Sequence, residues 1–145
     1  MAEALAEARK AAAEGEVPIG AVVVHDSRVV GRGRNARETR RDPTAHAEML
    51  ALQEAAGALG RWRLTGATVY ATLEPCPMCA GAMKLARIAR LVLGTRHATL
   101  QRTDLGRYSV ETFCELAGYD LSLTTGVREA ECTALRRRWG KDRST

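Results

Sequence analysis

An α/β domain with helices covering a sheet is the fold class this sequence predicts. Three features predict it. Apolar β-type runs alternate with helical segments along the chain. Hydrophobic residues make up 46% of the sequence, a globular composition. Its 145 residues are enough for one buried core and too few for two. No repeat, low-complexity tract or linker interrupts the alternation, so residues 1–145 read as a single domain.

The elements follow in order. Ala2 to Ala13 is rich in Ala with Glu, Lys and Arg interspersed, a helix by propensity, with Gly15 as its stop. Pro18 opens an apolar, β-branched run to Val24. His25-Asp26-Ser27-Arg28 has turn chemistry, and Val29-Val30-Gly31 continues as the second strand of a hairpin. Arg32 to Pro43 is polar and reads as a loop. Asp42-Pro43-Thr44 offers caps for a helix whose apolar residues recur at Met49, Leu50, Leu52, Ala55 and Ala56, ended by Gly57 and Gly60. Thr68 to Leu73 is a strand, Glu74-Pro75 a break, and Cys76 to Ala86 a helix. Ile88 to Leu93 is a fourth strand closed by Gly94. A long loop from Thr95 to Arg107 precedes a short helix near Ser109 to Ala117, a weak strand at Asp120 to Thr124 and a last helix from Glu129 to Trp139.

Composition narrows the function classes. The longest apolar runs are far short of a membrane span, and the start of the chain lacks the apolar centre of a signal peptide, so a cytoplasmic protein with no membrane partner is expected. Without export, the four cysteines are no disulfide framework. The close pair Cys76 and Cys79 points to metal binding or catalysis, and Cys114 and Cys132 read as small hydrophobes. A net charge of +5 suits a nucleic-acid partner, and equally an ordinary charged surface.

Two segments carry chemistry: Thr44-Ala45-His46-Ala47-Glu48 and Glu74-Pro75-Cys76-Pro77-Met78-Cys79. In each, the polar groups fall in the first turn of a predicted helix. Cysteines three apart share a helix face. At a helix N-terminus the macrodipole favours the thiolate, which is the form that binds metal. His46 is the third candidate ligand. Three protein ligands leave a fourth position for water, the arrangement of a catalytic zinc with one ion per chain. Glu48, two residues on, need not ligate and can serve as the proton carrier. Cys-x-x-Cys alone is weak and His-x-Glu weaker. Together, with Pro before the first Cys, they form the general signature of zinc nucleobase deaminases. A closed structural zinc would need Cys114 or Cys132 as fourth ligand, and a redox pair would leave His46 and Glu48 unexplained.

Val17-Pro18-Ile19-Gly20-Ala21, Gly33-Arg34-Asn35, Asp42 to Glu48, and Thr72 to Ala82 around the two cysteines resemble the bacterial tRNA-specific adenosine deaminase branch of the cytidine deaminase-like superfamily. The resemblance covers roughly residues 3 to 96. It implies a cytidine deaminase-like three-layer α/β/α fold with a mixed five-stranded sheet, a homodimer, and hydrolysis of adenine to hypoxanthine at a tRNA wobble position. By motif, His46, Cys76 and Cys79 would ligate Zn2+ and Glu48 would shuttle protons. Asn35 and Ala45 would contact the substrate base, and Ile19 would wall its pocket. On the residues alone, Asn35 is an ordinary turn residue.

The chain departs from that branch after Gly94. His97 sits where the branch carries Asp, and the Lys/Gly/Ala/Ser-rich stretch that follows there is missing. Pro77 between the cysteines also occurs in guanine deaminases. These departures support an alternative substrate, a free base or nucleoside such as guanine or cytosine. His97 reads as a solvated loop residue or as a pocket contact. Arg37, Arg40 and Arg41, and Arg136 to Arg138, read as phosphate contacts or as solvated charge. Trp62 and Trp139 are expected in the core or an interface, and Met78 and Met83 in packing. A zinc-stabilised module without catalysis is the third possibility, and Glu48 argues against it.

Overall fold

The computed structural model describes residues 1–142, with side chains through Trp139. Among them run α1 (Ala2–Ala13), β1 (Gly20–His25), β2 (Arg28–Arg34), α2 (Arg37–Arg40), α3 (Ala47–Leu59), β3 (Thr68–Leu73), α4 (Pro77–Leu85), β4 (Arg90–Thr95), α5 (Val110–Ala117), β5 (Ser122–Thr124) and α6 (Glu129–Asp142). The strands form one sheet in the order β2-β1-β3-β4-β5. β1 pairs antiparallel with β2 and β3, while β3, β4 and β5 run parallel. This is the mixed five-stranded sheet the resemblance implied.

The two faces follow from the period of two along a strand. Ala21 and Val23 of β1, Val69 and Ala71 of β3, and Leu91 and Leu93 of β4 pack with Ala51 and Ala55 of α3, Met83 of α4 and Val110 of α5. The alternate positions meet α1, which buries Ala4, Leu5, Ala8 and Ala11, and α6, which buries Cys132. Helices therefore cover both faces, as parallel strands need. No helix among the described residues is long and apolar enough to cross a membrane.

The hairpin turn is as expected. Asp26 and Ser27 both take positive φ, 49° and 61°, the two-residue turn whose twist suits a hairpin. β2 runs further than the sequence suggested, through Arg34. Its period of two is disguised, because the inward positions are Gly31 and Gly33 and the alternate ones are arginines. Arg32 pairs with Glu3 and Arg34 with Glu7, both on α1, and Arg34 also with Glu14 at the C-cap of that helix. The glycines let α3 lie directly on the strand. A Cβ on Gly31 would sit 2.2 Å from the Ala51 carbonyl oxygen, and one on Gly33 2.0 Å from that of Ala47.

Three local expectations need correction. The predicted loop after β2 contains the single turn α2, held by the buried carboxylate of Glu16, which accepts from the Thr39 N–H at 2.6 Å and the Thr39 hydroxyl at 2.7 Å. Helix α3 begins at Ala47, with its N-cap His46 two residues past Thr44, and runs through Gly57 to Leu59, capped by Gly60, where φ is 64°. Gly94 lies inside β4 because a side chain there would strike Cys132, whose Sγ is 2.4 Å from the Cβ position.

Candidate active site

β3 and β4 are parallel neighbours, and the chain turns from their C-terminal ends into Cys76 and His97. Open α/β sheets bind ligands outside such strand ends. α3 brings its own start to the same place. His46 is the N-cap of α3 (φ −80°, ψ 152°) and Cys76 the N-cap of α4 (φ −73°, ψ 171°), and neither side chain caps its own helix. Both side chains are thus released to face outward. Pro77, with no N–H to satisfy and φ already set, fixes the first turn of α4. Cys79 follows two residues after Pro77, within the same turn.

These starts meet. His46 Nδ1 lies 3.6 Å from Cys76 Sγ and 3.6 Å from Cys79 Sγ. All three donor atoms are within 4.8 Å of one another, and no other group of three His, Cys, Asp or Glu donors gathers so closely among the described residues. A tetrahedral zinc with Zn–S of about 2.3 Å and Zn–N of about 2.0–2.1 Å has nitrogen–sulfur edges of about 3.6 Å. The donor set and its spacing fit zinc. Cys114 and Cys132 do not join it, so a closed site with four protein ligands is not formed.

The electrostatics agree. The Cys76 thiol is lowered to about 4, first by the hydrogen bond from the Cys79 thiol and also by His46. The hydrogen bond to Cys76, with burial, pushes Cys79 up. A divalent cation between the sulfurs favours ionisation of both. Glu48, in the first turn of α3, is 4% exposed and its Oε2 is 3.6 Å from Cys79 Sγ. Burial raises its carboxyl to about 7, where a group both takes and gives protons at neutral pH.

Above these groups opens a cavity of about 590 Å³, large enough for a purine base. Ile19, Asn35 and His97 line it with His46, Glu48 and Cys76. Asn35 is buried. Its N–H donates to the Ile19 carbonyl at 3.1 Å, and its side chain makes longer contacts of 3.4 Å with the Val17 carbonyl and the Arg37 N–H. Ala45 is also buried but is not among the lining residues. Its carbonyl accepts from the Ala36 N–H at 3.0 Å, which ties the chain before α2 to the start of α3. His97 is no solvated loop residue, being 5% exposed. Neither of its ring nitrogens makes a well-formed hydrogen bond, although the Pro75 carbonyl bears on the ring. Burial holds its pKa below the usual imidazole range. Met83 is in the core, whereas Met78 lines the cavity. Trp62 is 57% exposed and carries the Arg63 guanidinium 4.2 Å from its ring centroid, so it is not a core residue.

At this end of the sheet a second buried carboxylate, besides Glu16, carries no clear signal in the sequence. Glu74, in the break after β3, accepts from the His97 N–H and the Val110 N–H, both at 2.9 Å, and from Arg96 Nη2 at 3.0 Å. Burial would raise its pKa, but Arg96 and the two N–H groups outweigh that and hold it below the usual carboxylate range. It anchors residues 96–110 to the metal end. The Tyr108 hydroxyl adds a second tie, donating to the Pro75 carbonyl. The only sequence signal was an acid beside a proline.

With this geometry established, similarity to known proteins decides the family. The profile of the cytidine and deoxycytidylate deaminase zinc-binding region matches residues 1–95. The chain belongs to this family. It is therefore a zinc-dependent deaminase with the family's α/β fold. Among its relatives, the tRNA-specific adenosine deaminase of Bacillus subtilis (strain 168) is 46% identical over 134 residues, covering 91% of this chain and 81% of the relative. The solved structure of a tRNA:A34 deaminase, described for A-to-I editing at the wobble position of transfer RNA, superimposes with TM-score 0.75 at 36% identity, covering 93% of this chain and 96% of that one. A guanine deaminase from Nitrosomonas europaea superimposes with TM-score 0.83 at 26% identity, covering 95% of this deaminase and 81% of its own chain.

Proposed function

We propose that this deaminase converts adenine to hypoxanthine at the wobble position of a tRNA. The observation that carries the reading is the buried Glu48 carboxylate beside the His46, Cys76 and Cys79 donors, at the floor of an open, purine-sized cavity. The substrate choice is supported by the identity of 46% to a tRNA-specific adenosine deaminase, spread over 91% of the chain and so extending past the catalytic motifs. Water adds at C6 of the base, the C6–N bond breaks, and ammonia leaves. His46, Cys76 and Cys79 would hold the zinc, which would supply the Lewis acidity that makes water a nucleophile at neutral pH. Glu48 takes one proton from the attacking water on a carboxylate oxygen and delivers it to the ring nitrogen, then carries the remaining hydroxyl proton at C6 to the departing amine. Its burial excludes solvent from that proton. Ile19 packs on the base, Asn35 and His97 present polar atoms to its edge, and Ala45 acts from behind by fixing the Ala36 strap. A cytoplasmic location is part of the same proposal, since a tRNA substrate would be met there.

The decisive experiment incubates the zinc-loaded protein with an anticodon stem-loop bearing adenosine-34 and reads inosine by sequencing. No inosine at high enzyme concentration overturns the tRNA reading. The fold of the guanine deaminase and the departure at His97 favour a second reading, a free-base deaminase. Ammonia release from a panel of bases and nucleosides tests it, and silence across the panel removes it. A homodimer is also proposed, because Leu85 of α4 and Leu116 of α5 are 71% and 90% exposed on one helical layer. Sedimentation at the mass of one chain would overturn it.

A further inference from the structure

Three arginines from separate elements converge on the mouth of the cavity: Arg37 of α2, Arg102 of the segment after β4, and Arg136 of α6. Arg102 already has a counterion, since its Nε donates to Asp104 at 2.9 Å and its Nη2 to the other carboxylate oxygen. Among the described residues Arg136 has none of its own. Its Nε is buried without a hydrogen-bond partner. Burial, then Arg102 and Arg37, weigh against its charge, and Asp104 is the opposing influence. A smaller hollow of about 130 Å³, lined by Leu100, Arg102, Arg136 and Arg137, lies against the same pair. A guanidinium stays ionised in proteins, and buried donors are normally matched. The cluster is therefore one anion short.

We propose that Arg136, with Arg102 and Arg37, forms a subsite at the cavity mouth for a phosphate group of the substrate. The guanidinium fork fits phosphate oxygens in pairs. The placement suits a nucleotide, because a base whose reacting carbon faces Glu48 turns its sugar and phosphate towards the opening. This inference rests on the deaminase reading of the cavity and extends it, since free bases and nucleosides carry no such group. An RNA phosphodiester and a free nucleotide's monoester share the chemistry.

The test begins without turnover. Inorganic phosphate is titrated into the zinc-loaded full chain at low ionic strength and followed by 31P NMR. Arg136→Leu should weaken binding about tenfold or more, while Arg138→Leu, an exposed position of the same helix outside the cavity, should not. Arg136→Gln, which is shorter but keeps a polar amide donor without the charge, repeats the test if the leucine variant misfolds. Equal phosphate affinity in the parent and in a folded Arg136 variant overturns the proposal. Turnover then separates the sources. An RNA phosphodiester predicts a KM for the stem-loop raised about tenfold by Arg136→Leu with kcat little changed. A free monoester predicts instead that 5′-AMP inhibits far better than adenosine and loses that advantage in the variant. Phosphate binding through Arg136 without inosine formation would sink the tRNA reading and leave the subsite. Inosine formation with an unchanged KM in the variant would sink the subsite and leave that reading.

Discussion

His46, Glu48, Cys76 and Cys79 come from two helix starts that the sheet supports from behind, whereas His97, Arg102 and Leu105 come from a run of turns whose buried anchor is Glu74. In the first region the polar groups are placed by backbone: N-cap geometry, a proline at the first helical position and a helix pressed against glycines. In the second they are placed by one carboxylate reaching across the chain to Arg96, His97 and Val110. The difference teaches where each kind of failure should appear. Damage to the first region removes chemistry, and damage to the second misplaces the substrate.

The sharpest break is Cys79→Ser. It should abolish deamination and leave the purified protein without zinc by metal analysis. Loss of a ligand present at about a thousandfold its Kd costs about 4 kcal/mol, which for a chain of this size lowers the melting temperature by roughly 10 °C. A zinc-loaded, active Cys79→Ser protein would break the comparison at its stronger end. Glu48→Gln comes next. It should lower kcat about 10²- to 10⁴-fold while zinc content and melting temperature stay at the parent values. Activity within a few-fold of the parent would remove Glu48 from the proton path.

Glu74→Gln probes the other region. It deletes a buried charge that accepts three bonds, and about 2–3 kcal/mol of stability should go with it, read by urea denaturation. KM should rise more than kcat falls, because the chemistry is anchored elsewhere. The reverse pattern would mean that the two regions are not separable. Glu16→Gln should have the smallest effect, about 1 kcal/mol, and carries a pH signature. Burial raises the Glu16 carboxyl, but Thr39 and Glu38 outweigh that and hold it below its ordinary 4.5. A carboxyl lowered by folding stabilises fully above the unfolded-state value and loses that contribution as pH falls through the folded-state value. The stability difference between parent and Glu16→Gln should therefore shrink below about pH 4.5. A difference independent of pH from 7 to 3 would show that the charge is not what holds α2.

What could be read from the sequence divides along the same line. Residues 2–13, the Asp26-Ser27 turn, the strand before Glu74 and the paired His46/Glu48 and Cys76/Cys79 motifs are local signals, with a period, a turn dipeptide or a spacing within one helical turn. Glu16 and Glu74 gave no such signal, because their partners lie more than twenty residues away in sequence and only the fold brings them together. His97 could be read as solvated because its burial depends on that long reach. β2 was cut short because glycine and arginine conceal an alternation that becomes visible only once α1 and α3 occupy its two faces. Ala45 shows the limit of a motif: the matched residue is present, but its side chain stays behind the cavity wall.

Gly31 and Gly33 leave no clearance between α3 and the strand beneath it, so that helix cannot slide or tilt to suit a differently shaped base. Variation in what this scaffold accepts must come from the other side. Directed evolution aimed at new targets should therefore concentrate its diversity between residues 96 and 109 and on the end of α6, and transplanting that stretch from a purine-specific cousin is the shortest route to a changed menu.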